Sequence, residues 1–164
     1  MLGRLRIGVI PTIAPYLLPD VITALQQRYP GLDLRPREAV TQNLIEDLAA
    51  GRLDTALVAL PISEGGLIEM PLLEEEFILV RPASEAGSPV PSAEGLRAMR
   101  LLLLVEGHCF RDQALAYCAV DNKPPRDLME GSSLSTLVQM VGAGIGVTLV
   151  PEMALPVETR SARV

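Results

Sequence analysis

The sequence predicts an α/β fold in two subdomains. Short apolar runs alternate with helix-spaced segments through the first half, the composition breaks at a hinge near Arg81, and a second set of strands and helices follows. Residues 5–10 form a short apolar run and read as a strand. Residues 20–29 carry Val21, Ala24 and Leu25 at helical spacing until Pro30 and Gly31 stop them. Residues 32–37 alternate apolar and polar, as a half-buried strand does. Thr41 then precedes a helix through residue 50, with Leu44, Ile45, Leu48 and Ala49 on one face and Gly51 as its stop. Residues 56–60 follow as a buried strand. A βαβαβ order of this kind implies parallel strands joined by right-handed crossovers.

Residues 73–80 are strand-like, with Glu74, Glu75 and Glu76 as a solvated entry, and residues 82–95 gather Pro, Gly, Ser and Ala in the manner of a surface loop. The subdomains are accordingly residues 1–80 and 81–164. In the second, residues 101–105 read as a buried strand, residues 110–120 as a helix, and residues 133–142 as a helix capped by Ser132 or Ser133. Gly144, Ile145 and Gly146 turn the chain into a strand over residues 147–150, which Pro151 ends.

At 164 residues with 49% apolar content, the chain is long enough to bury adequate cores. Its net charge of -6 suits it poorly to tracking a phosphate backbone by itself. The longest apolar run, residues 101–105, is far short of the ~20 residues of a membrane span. With no basic-then-apolar leader ahead of Leu5, the expected location is the cytoplasm, with no membrane partner.

The chemistry is concentrated in residues 107–118, which hold both cysteines and the single histidine. Cys109 follows His108 and precedes Arg111 and Asp112, and neighbouring cations favour thiolate over thiol. It also follows a strand and opens a helix, whose dipole acts in the same direction. Cys118 lies on the opposite face of that helix, about 13 Å further along, whereas a disulfide requires Cα atoms within about 7 Å. A bond between them would require the helix to come apart. The alternative is that both cysteines are small apolar packing units, although His108, Arg111 and Asp112 are costly to bury without partners. The spacing fits no zinc site, no Cys-x-x-Cys centre is present, and no metal or cofactor is expected.

Ligands of open parallel sheets gather beyond the carboxyl ends of the strands. Thr12 and Thr41 follow the first and second strands there, and they read equally as helix caps or as ligand-facing hydroxyls. With Cys109, they are expected to converge on one crevice.

The stretches Ile10-Pro11-Thr12, Pro15 to Pro19, Glu38-Ala39-Val40-Thr41, Gly107-His108-Cys109-Phe110-Arg111-Asp112-Gln113-Ala114 with Cys118, and Gly142 to Val147 ahead of Leu149-Val150-Pro151 carry a resemblance that covers essentially the whole chain. It is similar to the regulatory domains of the peroxide-sensing LysR-type transcription regulators. The cysteine segment is the specific part, and the rest is shared with LysR-type effector domains in general. The resemblance implies two Rossmann-like subdomains of the periplasmic-binding-protein-like type. It implies that Cys109 is the peroxide-reactive thiol and Cys118 its disulfide partner. It further implies that Thr12, Thr41, His108, Arg111 and Asp112 shape the peroxide pocket. The implied partners are hydrogen peroxide, a second regulatory domain in a dimer within a tetramer, and a glutaredoxin or thioredoxin reductant. Promoter DNA would be reached only through a winged helix-turn-helix, which this sequence does not include, so this segment is not expected to bind promoter DNA itself. The first sheet is expected to lack the returning C-terminal strands of the family. Two other functions fit the residues: a LysR-type domain that holds a small organic anion and uses its cysteines for packing, and a thiol peroxidase with continuous turnover. The sequence offers no second thiol system to recycle a peroxidase.

Overall fold

The computed structural model describes residues 3–62, 64–118 and 127–164, and the chain divides into two compact units, residues 1–74 and 75–164. The first unit contains β1 (Gly3–Val9), α1 (Ala14–Arg28), β2 (Leu32–Glu38), α2 (Thr41–Ala49) and β3 (Thr55–Leu57). Its strands form a parallel sheet of order β2-β1-β3, the βαβαβ unit expected from the sequence. Helix α1 starts six residues earlier than the apolar spacing suggests, because Pro15 sits in its first turn, where its fixed φ and missing N–H cost nothing. Pro19 lies inside the helix but faces solvent, and its carbonyl accepts a hydrogen bond from Thr23 Oγ1 at 2.9 Å. Val9, Ile7 and Ala14 pack with Ile13, Leu18, Val21 and Leu57. Gly8 lets Leu44 and Leu53 close over β1, since a Cβ there would come within 2.7 Å of both side chains.

The second unit contains β4 (Phe77–Val80), α3 (Ala93–Ala98), β5 (Arg100–Leu104), α4 (Cys109–Cys118), β6 (Asp127–Gly131), α5 (Leu134–Gly142), β7 (Val147–Pro151) and α6 (Leu155–Glu158), with 3-10 turns at Ala83–Glu85 and Glu152–Ala154. Its sheet has the order β4-β7-β5-β6, in which β4 is antiparallel to β7 and the other pairs are parallel. Leu101 to Leu104 are all buried. Since alternate residues of a strand face opposite sides, β5 is covered on both, as the strands of an open α/β sheet are. Each such leucine contributes about 1.5–3 kcal/mol. Thr148 is fully buried beside them and donates to the Leu102 carbonyl at 2.7 Å, which satisfies its hydroxyl.

The structure differs from the sequence reading in three places. The division falls between Glu74 and Glu75 instead of near Arg81, because Phe77–Val80 pairs with Val147–Pro151 and so belongs to the second sheet. The loop-like stretch of residues 82–95 hides the start of α3, where Ser92 caps the helix by accepting from the Gly95 N–H at 3.1 Å. Strand β6 was not expected, because its side chains are exposed up to Gly131 and it carries no apolar alternation. Helix α4 ends at Cys118, and residues 119 and 120 of the expected helix lie outside the described residues. Among the described residues no helix is long and apolar enough to cross a membrane.

A Cβ on Gly146 would run into the backbone carbonyl of Arg100, where β7 begins beside β5. Gly146→Ala is therefore expected to destabilise the protein by about 1–3 kcal/mol through overpacking against backbone that cannot move aside. Gly3→Ala, where a Cβ meets nothing, is expected to stay within about 0.5 kcal/mol of the parent. Urea unfolding of the two variants checks the contrast.

Candidate functional site

The carboxyl edge of the first sheet is built by short connections out of β1 and β2. Val9 pairs with Glu38 at the ends of these strands, and the Ala39 N–H donates to the Val9 carbonyl at 3.2 Å, so Thr12 and Thr41 follow adjacent strands. Neither threonine caps a helix. The residue preceding α1 is Ile13 and the one preceding α2 is Val40, and neither helix has a side-chain cap. Thr12 is buried, and Thr41 Oγ1 is buried with no hydrogen-bond partner among the described residues. An unsatisfied hydroxyl costs about 1–3 kcal/mol.

In the second unit, the connection from β5 to α4 passes Gly107 at φ +95° and delivers His108 and Cys109 to the start of the helix. Cys109 is the first residue of α4, is partly exposed and is a free thiol. Unpaired N–H groups at a helix start favour a negative charge there. Cys118 is the last residue of α4, fully buried and also free. Burial pushes its thiol pKa up. The carbonyl end of the helix also disfavours an anion, so Cys118 rests as a thiol while Cys109 holds the position suited to thiolate chemistry. They are the two ends of a continuous ten-residue helix, which at ~1.5 Å per residue leaves them far beyond bonding reach.

The neighbouring charges are arranged differently from the expectation of a cationic cage. Burial lowers the His108 pKa, which favours neutral imidazole at neutral pH. Arg111, two positions along the helix, faces away from Cys109. Its side chain is 10% exposed and is engaged through one nitrogen: Nη1 donates to the Leu104 carbonyl at 2.8 Å and pairs with Glu130 Oε1 at 2.6 Å. Asp112, three residues on from Cys109, shares its face of the helix and is exposed. The field expected from His108 and Arg111 is therefore largely cancelled, and the helix start is the feature that remains.

Glu130 is the residue that sequence reasoning missed. It lies on the unexpected strand β6, nineteen positions after Arg111 in the chain, and no local pattern links the two. Phe110 is also part of this constellation, with its ring centroid 4.5 Å from that of Phe77 on β4. No group of His, Cys, Asp and Glu able to hold a metal occurs among the described residues.

Two measurements follow from this geometry. Thr41→Val keeps the shape and removes the orphaned hydroxyl, so it is expected to raise stability by about 1 kcal/mol in urea unfolding. A loss of stability would show that the hydroxyl is bonded. The single histidine gives one pair of imidazole C–H signals in NMR, and their titration midpoint is expected below 6.5. Since the unfolded chain binds this proton more readily, stability is full above about pH 6.5 and falls as pH drops from there through the folded pKa.

Residues 2–164 match the family described as the LysR substrate-binding domain. The chain is 47% identical over 165 residues to a "Probable hydrogen peroxide-inducible genes activator" of Streptomyces viridosporus, covering 98% of this chain and 53% of that one. It is 39% identical to the DNA-binding transcriptional dual regulator OxyR of Escherichia coli K12, covering 98% and 53%. The chain thus spans about half the length of the curated relatives it matches. Among solved structures, it is similar to the reduced OxyR regulatory domain of Pseudomonas aeruginosa, with TM-score 0.86 and 36% identity over 99% of this chain and 79% of that one. It is likewise similar to a hydrogen-peroxide-bound cysteine mutant of OxyR from Corynebacterium glutamicum, with TM-score 0.89 and 37% identity over 98% and 52%. The chain belongs to the LysR substrate-binding domain family and, within it, to the regulatory domains of OxyR.

Proposed function

We propose that this chain is the cytoplasmic, non-enzymatic sensor segment of a hydrogen-peroxide-responsive transcription regulator. The observation that carries the reading is the pair of free thiols at the two ends of one helix, the first partly exposed at its start and the second fully buried at its end. Cys109 thiolate attacks one peroxide oxygen, the O–O bond breaks, and the leaving hydroxide takes a proton to become water. Cys109 is left as sulfenic acid, two electrons oxidised. Cys118 then attacks that sulfur and expels a second water as the disulfide forms. A glutaredoxin or thioredoxin dithiol returns both thiols by exchange. In the first unit Thr12 and the unpartnered hydroxyl of Thr41, and in the second unit neutral His108, are each groups able to hydrogen-bond peroxide or water. Arg111 and Asp112 frame the helix start. Remodelling of α4 changes how regulatory domains meet in a dimer and tetramer, and promoter DNA is contacted by a separate domain.

Stoichiometric peroxide is expected to give a wild-type product with no free thiols and an internal disulfide by mass spectrometry. Cys118→Ser is expected to stop at a dimedone-reactive sulfenic acid on Cys109, and Cys109→Ser to give none. Unreacted thiols in the wild type would favour the organic-anion binder instead.

A further inference from the structure

The two ends of α4 are held very differently. At the Cys109 end, each of three sheet strands supplies a fastening. Phe77 of β4 stacks on Phe110 at 4.5 Å, the Leu104 carbonyl of β5 accepts from Arg111 Nη1 at 2.8 Å, and Glu130 of β6 pairs with the same nitrogen at 2.6 Å. The backbone agrees with the side chains, since the Arg111 N–H donates to the His108 carbonyl at 2.9 Å and closes the first turn on the loop that leaves β5. The Cys118 end has only apolar burial: Ala114 and Cys118 are fully buried, Ala116 and Tyr117 are exposed, and no side-chain hydrogen bond or ion pair is recorded for the described residues from Gln113 onward in the helix.

Resting on the redox reading above, we propose that Glu130 is a positioning residue for the thiol pair. Through Arg111 it pins the Cys109 end of α4 to the sheet, so that disulfide formation unwinds the helix from the Cys118 end and carries Cys118 to a stationary Cys109. The assignment follows from what each end must surrender. Releasing the first turn would leave a guanidinium, nine-tenths buried, without its carboxylate, which is costly. Releasing the last turns gives up backbone hydrogen bonds and apolar contacts, and it also exposes the Cys118 thiol, lifting the burial that keeps it protonated. Glu130 itself is half-exposed, at the rim of the contact, and can be replaced without opening a cavity in the core.

The chain has only two phenylalanines, and they are the pair in contact, so a ring-labelled sample gives one inter-ring NOE that reports on the first turn. The experiment compares wild type, Glu130→Ala and Glu130→Gln, each reduced and after oxidation by diamide. Diamide takes two electrons and two protons from the dithiol and needs no peroxide. In the wild type the NOE is expected to persist in both states, while amides after Gln113 lose about tenfold or more of their exchange protection on oxidation. In Glu130→Ala the NOE is expected when reduced and absent when oxidised, a state-dependent loss that general destabilisation would not produce. Should the alanine variant not fold, Glu130→Gln keeps the side-chain volume, gives up the charge and carries the same comparison. Loss of the NOE in oxidised wild type, or its retention in both oxidised variants, would overturn the proposal. Failure of peroxide to oxidise wild type that diamide can bridge would count against the peroxide reading alone.

Discussion

A straight helix cannot bring its two ends together, and in this protein the ends of one helix are the two cysteines. Every other property of the redox segment is conditioned by that separation. While α4 is intact, Cys109 and Cys118 behave as isolated thiols in contrasting settings: one at the N–H end with solvent access, the other buried at the carbonyl end, where burial raises its pKa. The same fold thus gives two chemically identical groups different surroundings through position alone. It also makes a Cys109–Cys118 disulfide and an intact α4 mutually exclusive. Each i to i−4 bond contributes about 1 kcal/mol net, so shape and oxidation state are coupled without any further device.

The anchoring of α4 relies on contacts distant in sequence. The β4 strand supplies an aromatic ring, β5 a carbonyl and β6 a carboxylate, and in the sheet β4 is separated from the adjacent pair β5 and β6 by β7. A guanidinium suits such a junction, because its planar fork can donate to a carbonyl and a carboxylate together. Arg111 is therefore better understood as the joint between the helix and its sheet than as a counter-ion for Cys109.

Elements with strong local periodicity were legible in the sequence. The parallel βαβαβ order, the buried run in β5, the Ser133 cap of α5 and the redox segment all follow from spacing and turn residues that act within a few positions. What could not be read was set by partners far along the chain. Strand β6 exists because Leu101 to Leu104 offer it a parallel edge, not because its own residues alternate. The assignment of Phe77–Val80 to the second unit depends on an antiparallel pairing seventy residues away with Val147–Pro151. At the site, helical spacing placed the two cysteines at opposite ends of α4, but the charges around Cys109 were misjudged. Nothing local says that His108 is desolvated or that Arg111 is committed to Glu130. The threonines were read as caps or as ligand groups, and the backbone alone decided against capping.

Three of the ion pairs involve residues at or near strand beginnings. Arg4 lies directly across from Asp33, and Arg100 across from Asp127; Arg6 holds Asp54, whose carboxyl pKa is lowered to about 2 by that guanidinium. All three pairs are well exposed and contribute little to stability, yet two of them match opposite charges across paired strands in the register that sets which face each residue meets. Thr12, Thr41 and Cys109 follow strand ends at the other edge. The two edges can therefore diverge independently. Substitutions among the salt-screened pairs alter how firmly strands find their alignment during folding, while substitutions beyond the strand ends retune reactivity, and a lineage exploring one sacrifices little of the other.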